Sequence, residues 1–193
     1  FGWNDPEELA AFKGFFDVIC VDAPCSGEGL FRKNPKAANE WSPEHVTHCS
    51  ARQRRILFGV NKLVKENGIL IYSTCTYNDE ENDMNVKWLS NHGGFENIKL
   101  EINKDWGIVE TEFGYQFYPH LVNGEGFYLA VLKKKFAPDS KKKKNKPKNE
   151  IINEYSVFSS RKKEKKDDKS YTLEIKYEEN EVEEKLSVKI KFD

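Results

Sequence analysis

Residues 16–29 read FDVICVDAPCSGEG, and this stretch decides the fold. Its first part, residues 16–21, is a nearly continuous apolar run, which is typical of a strand buried in a parallel sheet. Its second part, residues 22–29, places an acid, a proline, a cysteine and two glycines in one loop. Because glycine has no side chain, such a loop lets the backbone approach a ligand closely. The stretch predicts a buried strand that ends in a ligand-binding loop.

A second stretch of the same kind, ILIYSTCTYN, lies at residues 69–78. Residues 69–72 predict the next buried strand, and Cys75 follows in a turn. Ligands bind open α/β sheets at the carboxyl ends of the strands, so both Cys25 and Cys75 are expected at that edge. Two thiols, one of them close to Asp22, favour covalent chemistry. For either cysteine alone, the alternative is a small thiol half-buried in a turn.

The rest of the pattern predicts alternating helices and strands. Helices are expected at residues 7–13, at 42–66 up to the Asn67-Gly68 pair, and from Asn78 to the Gly93-Gly94 pair. Further strands are expected at residues 98–102, 115–119 and 127–132. This order describes half of a doubly wound α/β sheet.

Charge divides the chain into two parts. Residues 1–139 carry 15 Lys/Arg and 20 Asp/Glu, whereas residues 140–193 carry 16 and 12. We predict part of a folded domain at residues 1–136, a lysine-rich linker at 137–150 and a charged β-rich extension at 151–193. Strands at 171–177 and 186–192 would form a hairpin in the extension, which needs a partner surface because two strands alone are marginal in water.

The four cysteines show no CxxC spacing, and no signal peptide or apolar run of roughly 20 residues is present in the sequence. We therefore expect free thiols in the cytoplasm and no membrane partner. His45, His48 and Cys49 share one face of the predicted helix, but the sequence offers no fourth ligand, so no metal is expected.

Several basic residues could contact phosphates, and a solvated surface is the alternative for each. They are Arg32, Lys33, Arg52, Arg54 and Arg55.

Together, the two cysteine stretches resemble the RNA cytosine-5 methyltransferases of the Sun/nucleolar-protein family, in its bacterial ribosomal RNA branch. The resemblance rests on residues 22–27 (DAPCSG), 73–76 (STCT), 27–33 (GEGLFRK), 52–53 (RQ), 81–82 (EN) and 124–127 (GEGF). It covers about residues 1–135. It implies a Rossmann-like methyltransferase sheet, here with its amino-terminal strands missing.

The resemblance also implies the chemistry. S-adenosylmethionine would donate the methyl group, and RNA, specifically ribosomal RNA, would be the substrate. Cys75 would be the nucleophile that adds to carbon 6 of cytosine, and Cys25 would assist release of the product. Asp22 would lie where cofactor and base meet, and Pro24 and Asp5 would belong to the cofactor site.

The family's glycine-rich cofactor loop, ribose-binding acid and pocket lysine belong to a region upstream of this sequence. We therefore expect the carboxyl half of a methyltransferase domain that is inactive alone. Two alternatives stay open: a non-catalytic RNA-binding fragment or pseudoenzyme, and a different thiol enzyme that uses Cys25. The latter would need a nearby base such as histidine, and the loops at Asp22 and Ser73 contain none. The oligomeric state is left open.

Overall fold

The computed structural model describes residues 9–135 and the strands at 157–158, 169–179 and 182–192. The elements of these residues, in chain order, are β1 (Phe16–Asp22), α1 (Pro35–Glu40), α2 (Pro43–Asn61), β2 (Val64–Thr74), α3 (Asp83–Gly93), β3 (Phe95–Asn97), β4 (Val109–Glu110), β5 (Tyr115–Phe117), β6 (Phe127–Lys134), β7 (Val157–Phe158), β8 (Lys169–Glu179) and β9 (Val182–Phe192).

One mixed sheet of seven strands organises the described part of the chain. Its order is β4-β5-β6-β2-β1-β7, and β3 also pairs with β6. Strands β1 and β2 are parallel, with Asp22 opposite Ser73 at their carboxyl ends. This register brings the loops that contain Cys25 and Cys75 to one edge of the sheet.

Strand β2 is buried on both faces of the sheet because helices cover one face and loops cover the other. Leu70 and Tyr72 belong to the core cluster that includes Leu57 of α2. Ile69 and Ile71 point to the opposite cluster, since successive side chains of a strand alternate between faces. Full burial of such a side chain stabilises the fold by about 1.5–3 kcal/mol.

The prediction that a helix extends to residue 66 is wrong in its last turn. Helix α2 begins after Ser42, whose side chain accepts a hydrogen bond from the backbone of His45, and it ends at Asn61. Val64 already belongs to β2, where it pairs with Phe16. Apolar residues at this point fit either a helix or a strand, and sheet pairing decides the outcome. Residues 67–68 therefore lie within β2 rather than after a helix.

The helix expected from Asn78 begins later, at Asp83. Residues 79–82 form a turn because two of their side chains point inward: Glu81 and Asn82 are buried. The predicted end is confirmed, since Gly94 follows α3 with a φ of 71°, a conformation that favours glycine.

The later strands agree only in part with the expectation. The antiparallel pair around residues 115–119 and 127–132 is confirmed as β5 and β6. The strand predicted at 98–102 is wrong: β3 comes earlier, and residues 98–102 are irregular. Ile98, Leu100 and Ile102 still pack against the second core cluster, which explains their apolar alternation. Helix α1 and strand β4 were not predicted.

The hairpin predicted in the extension is confirmed, and its strands are longer than expected. Strands β8 and β9 pair antiparallel, with Glu179 opposite Val182 at the turn. The predicted linker and the start of the extension at residue 151 lie outside the described residues. At the amino terminus, residues 1–8 also lie outside, and a single 3-10 turn at Ala10–Phe12 is present within the helix predicted at 7–13.

Candidate active site

The two cysteines meet at the carboxyl edge of β1 and β2. The Sγ atoms of Cys25 and Cys75 lie 2.8 Å apart, and the backbone N–H of Cys75 donates to Sγ of Cys25 at 3.2 Å. Both residues are half-buried, and neither forms a disulfide. The structure therefore brings the two sequence-predicted thiols into direct contact, whereas their chemical roles stay predictions.

Asp22 is the last residue of β1 and lies beside this pair of loops. It is half-buried, and one carboxylate oxygen accepts a hydrogen bond from the Ser73 hydroxyl at 3.1 Å. Pro24 lies two residues further, and its carbonyl oxygen accepts a hydrogen bond from the side chain of Gln53 at 3.0 Å. Asp5, the remaining predicted site residue, lies outside the described residues.

Close backbone packing joins the two thiol loops to the loop before β6. The N–H of Gly29 donates to the carbonyl oxygen of Cys75 at 2.9 Å, and the N–H of Gly126 donates to the carbonyl of Gly29 at 3.3 Å. A Cβ atom on Gly29 would lie 2.3 Å from the carbonyl oxygen of Gly126. The three loops can approach this closely only because both positions are glycine.

Glu28 binds two aromatic residues, Trp41 and Tyr77, beside the same loops. Its carboxylate accepts hydrogen bonds from the indole N–H of Trp41 at 2.9 Å and from the backbone N–H of Tyr77 at 3.0 Å. The ring of Tyr77 stacks on that of Tyr118, with centroids 5.4 Å apart. Sequence reasoning missed this role of Glu28, although the residue lies in one of the stretches that carry the resemblance.

A buried carboxyl group, that of Glu81, is hydrogen-bonded to the backbone of the Cys25 loop. Glu81 is fully buried and accepts hydrogen bonds from the backbone N–H of Ser26 at 3.0 Å and from the side chain of Gln53 at 2.7 Å. Burial raises the pKa of Glu81, and these hydrogen bonds oppose that shift. The sequence analysis named Glu81 and Gln53 only among the residues that carry the family resemblance, because no local sequence pattern shows that their side chains meet.

The acidity of Cys25 depends on its contact with Cys75. The hydrogen bond to Cys75, followed by burial, raises the pKa of Cys25 far above that of an ordinary thiol. Cys25 therefore stays protonated at neutral pH in the resting protein. Cys49, on α2, has a pKa raised to about 11, mainly by burial.

Most of the basic residues that could contact phosphates already have partners in the protein. Arg32, Lys33 and Arg54 bind neighbouring protein groups, whereas Arg52 and Arg55 are exposed on α2. The partners are the carbonyl of Gly124 (2.9 Å), the carboxylate of Glu125 (2.7 Å) and the side chain of Asn85 (2.7 Å), respectively.

The described part of the chain contains no group of three or more His, Cys, Asp or Glu side chains that could hold a metal ion. His45 and Cys49 contact each other, with 3.6 Å between Nε2 and Sγ. No helix among the described residues has the length and apolar character needed to span a membrane.

Solved structures of similar fold confirm the expected Rossmann-like α/β class. A methyltransferase homologue from Pyrococcus horikoshii has a TM-score of 0.57 and 24% identity, with 69% of this chain and 44% of that chain covered. The NSun6 protein of Pyrococcus horikoshii, solved with SFG, has a TM-score of 0.52 and 28% identity, with 69% and 34% covered.

Within this class, residues 4–133 match the family described as 16S rRNA methyltransferase RsmB/F, and the chain belongs to that family. Ribosomal RNA small subunit methyltransferase F of Pectobacterium carotovorum is 39% identical over 130 residues, and that of Escherichia coli O6:H1 is 39% identical over 129. In both cases the match covers 65% of this chain and 27% of the relative. The chain thus spans about a quarter of the length of these relatives.

Proposed function

We propose that this chain carries the two reactive cysteines of an enzyme that methylates carbon 5 of cytosine in ribosomal RNA. The observation that carries the proposal is the contact between Cys25 and Cys75 at the carboxyl ends of two parallel strands. Family membership supports it, and the names of the curated relatives support ribosomal RNA as the substrate. Because the chain spans 27% of those relatives, we propose that it does not methylate RNA alone.

Cys75 is the nucleophile in this proposal. Its thiolate adds to carbon 6 of cytosine, forming an S–C bond and making carbon 5 electron-rich enough to attack an activated methyl group. Asp22 lies at the same edge, where its carboxyl group can balance charge on the ring as the adduct forms. The covalent route splits one difficult step into two easier ones.

Cys25 acts in product release. After methyl transfer, the proton on carbon 5 must leave and the bond between carbon 6 and Cys75 must break. The Cys25 thiol gives its proton to the departing Cys75 sulfur, 2.8 Å away, and takes the proton from carbon 5.

S-adenosylmethionine, when bound, supplies the activated methyl group. Among the described residues, Asp22 and Pro24 fit this group, since they are half-buried at the sheet edge where open α/β sheets bind ligands. The NSun6 relative was solved with SFG, an S-adenosylmethionine analogue, which supports the same cofactor. The part of the site predicted at Asp5 stays a prediction.

The test compares cysteine variants in a protein that contains this chain together with the region preceding it in the gene. Radiolabelled S-adenosylmethionine and ribosomal RNA are supplied, and denaturing gels report both methylated RNA and covalent protein–RNA adduct. Cys75→Ala should give neither, whereas Cys25→Ala should accumulate adduct. Cys49→Ala is the matched control and should behave as wild type. Full turnover by Cys75→Ala would show that the nucleophile is assigned wrongly.

The competing reading is a non-catalytic RNA-binding fragment, which the exposed Arg52 and Arg55 of α2 favour. It predicts salt-sensitive RNA binding with no adduct in any cysteine variant. The same gels, run beside a filter-binding assay, separate the two functions.

A further inference from the structure

Both peptide groups that flank Cys25 are held by one buried pair of side chains, Glu81 and Gln53. On one side, the carbonyl of Pro24 accepts a hydrogen bond from Nε2 of Gln53 at 3.0 Å. On the other side, the N–H of Ser26 donates to the two carboxylate oxygens of Glu81 at 3.0 and 3.3 Å. Gln53 and Glu81 also bind each other at 2.7 Å. The backbone of Cys25 is therefore fixed before and after the thiol.

The pair is itself locked in place. Neither Gln53 nor Glu81 is exposed to solvent at all. Oε1 of Gln53 accepts a hydrogen bond from the side chain of Asn85 at 2.7 Å, so its Nε2 must face Pro24 and Glu81. The hydroxyl of Tyr72 donates to the carbonyl oxygen of Glu81 at 2.7 Å. Helix α2, strand β2 and helix α3 thus all fix the orientation of the pair.

Stability alone does not explain a carboxyl group at position 81. No ion pair to Glu81 exists within residues 9–135, and a buried carboxylate without a cation is costly. A carboxylate can accept from two N–H donors at once, and here it faces two, on Ser26 and Gln53. A glutamine at this position would turn its own N–H₂ toward one of them.

We propose that Glu81, together with Gln53, is a positioning residue that holds the thiol of Cys25 against that of Cys75. The pair acts on the Cys25 loop and reaches Cys75 only through it. This inference rests on the proposed function for its catalytic consequence, which is that loosening Cys25 slows product release while adduct formation continues. The positioning role itself can be measured without RNA.

The test is site-specific alkylation by iodoacetamide, followed by peptide mass spectrometry, in the chain as it exists. Glu81→Gln should raise the alkylation rate of Cys25 about tenfold, the effect of losing one buried hydrogen bond, because the freed thiol leaves Cys75. Glu80→Gln makes the same change on the exposed neighbouring residue and should leave the rate unchanged. Cys20, on β1, reports unfolding, so its rate should stay constant in both variants.

Gln53→Met keeps the shape of the side chain, removes both of its donors and leaves Glu81 in place, so it should also raise the rate at Cys25. An unchanged Cys25 rate in Glu81→Gln and Gln53→Met, with Cys20 protected, overturns the positioning role.

In the RNA assay, Glu81→Gln should accumulate adduct as Cys25→Ala does, whereas Glu80→Gln should turn over normally. If Cys25→Ala itself forms no adduct, the proposed function fails, and the alkylation rates still decide the role of Glu81.

Discussion

The Sγ atoms of Cys25 and Cys75 lie 2.8 Å apart although 50 residues separate them in the chain. Parallel pairing of β1 with β2 sets this contact, because Asp22 and Ser73 are opposite each other, Cys25 lies three residues after Asp22 and Cys75 lies two residues after Ser73. The contact makes the reactivity of each thiol depend on the other, and this dependence can be measured directly.

Removal of Cys75 should make Cys25 more reactive. The hydrogen bond to Cys75 is the largest cause of the raised pKa of Cys25, so Cys75→Ala lowers that pKa while burial still keeps it above the ordinary value. Alkylation of Cys25 at pH 8 should therefore be faster in Cys75→Ala than in wild type, as followed by peptide mass spectrometry. Cys20→Ala is the control. A slower rate in Cys75→Ala would contradict the conclusion that the contact with Cys75 raises the pKa of Cys25.

Mild oxidation should join the two thiols. One molecule of hydrogen peroxide accepts two electrons and the two thiol protons, giving one disulfide and two waters. Peptide mapping without reduction should show a Cys25–Cys75 bridge, which dithiothreitol reverses. Cys49 contacts His45 rather than a thiol and should form no bridge within the chain. Peroxide-treated protein in which Cys25 and Cys75 both remain open to alkylation would refute the close contact.

The glycines between the thiol loops should differ in their tolerance of a methyl group. Gly29→Ala would place Cβ 2.3 Å from a backbone oxygen, whereas Gly126→Ala would place it 2.3 Å from the ring of Tyr77. Overpacking costs about 1–3 kcal/mol. Because backbone atoms shift less readily than a side chain, Gly29→Ala should lower the free energy of unfolding more than Gly126→Ala does. Urea unfolding measures both. Gly126→Ala should cost less in a Tyr77→Ala background, and additive costs would contradict that contact.

Neighbouring residues of α2 should differ in how much truncation destabilises the protein. Leu57 is fully buried, so Leu57→Ala leaves a cavity and should reduce the free energy of unfolding by about 2–5 kcal/mol. Phe58 is 56% exposed, so Phe58→Ala should change that free energy by about 0.5 kcal/mol or less. Chemical denaturation compares the two. Equal losses would mean that α2 packs on the sheet through a different face.

The fold could be predicted from the sequence where a local pattern fits only one secondary structure. The apolar runs before Asp22 and Cys75 predicted β1 and β2, and the Gly93-Gly94 pair predicted the end of α3. The pattern failed where it fitted two structures equally well. Val64 suits a helix as well as a strand, and only its pairing with Phe16 assigns it to β2.

The candidate site divides in the same way. Its thiols and Asp22 could be predicted because Asp22 ends one apolar strand and each cysteine lies in the turn that follows such a strand. The hydrogen bonds that hold the Cys25 loop could not be predicted. Gln53 comes from α2 and Glu81 from the turn before α3, and no local pattern shows that two distant polar side chains share a buried hydrogen bond.

By itself, the sequence determined which residues form the parallel strands and which chemical groups follow them, since strand formation and loop composition are local properties. Tertiary structure alone decided the distance between the thiols, the direction in which the pKa of Cys25 shifts, and the buried pair that fixes Cys25. These properties depend on strand register, on exclusion of water and on packing of α2 and α3 against the sheet, which bring together groups far apart in the chain.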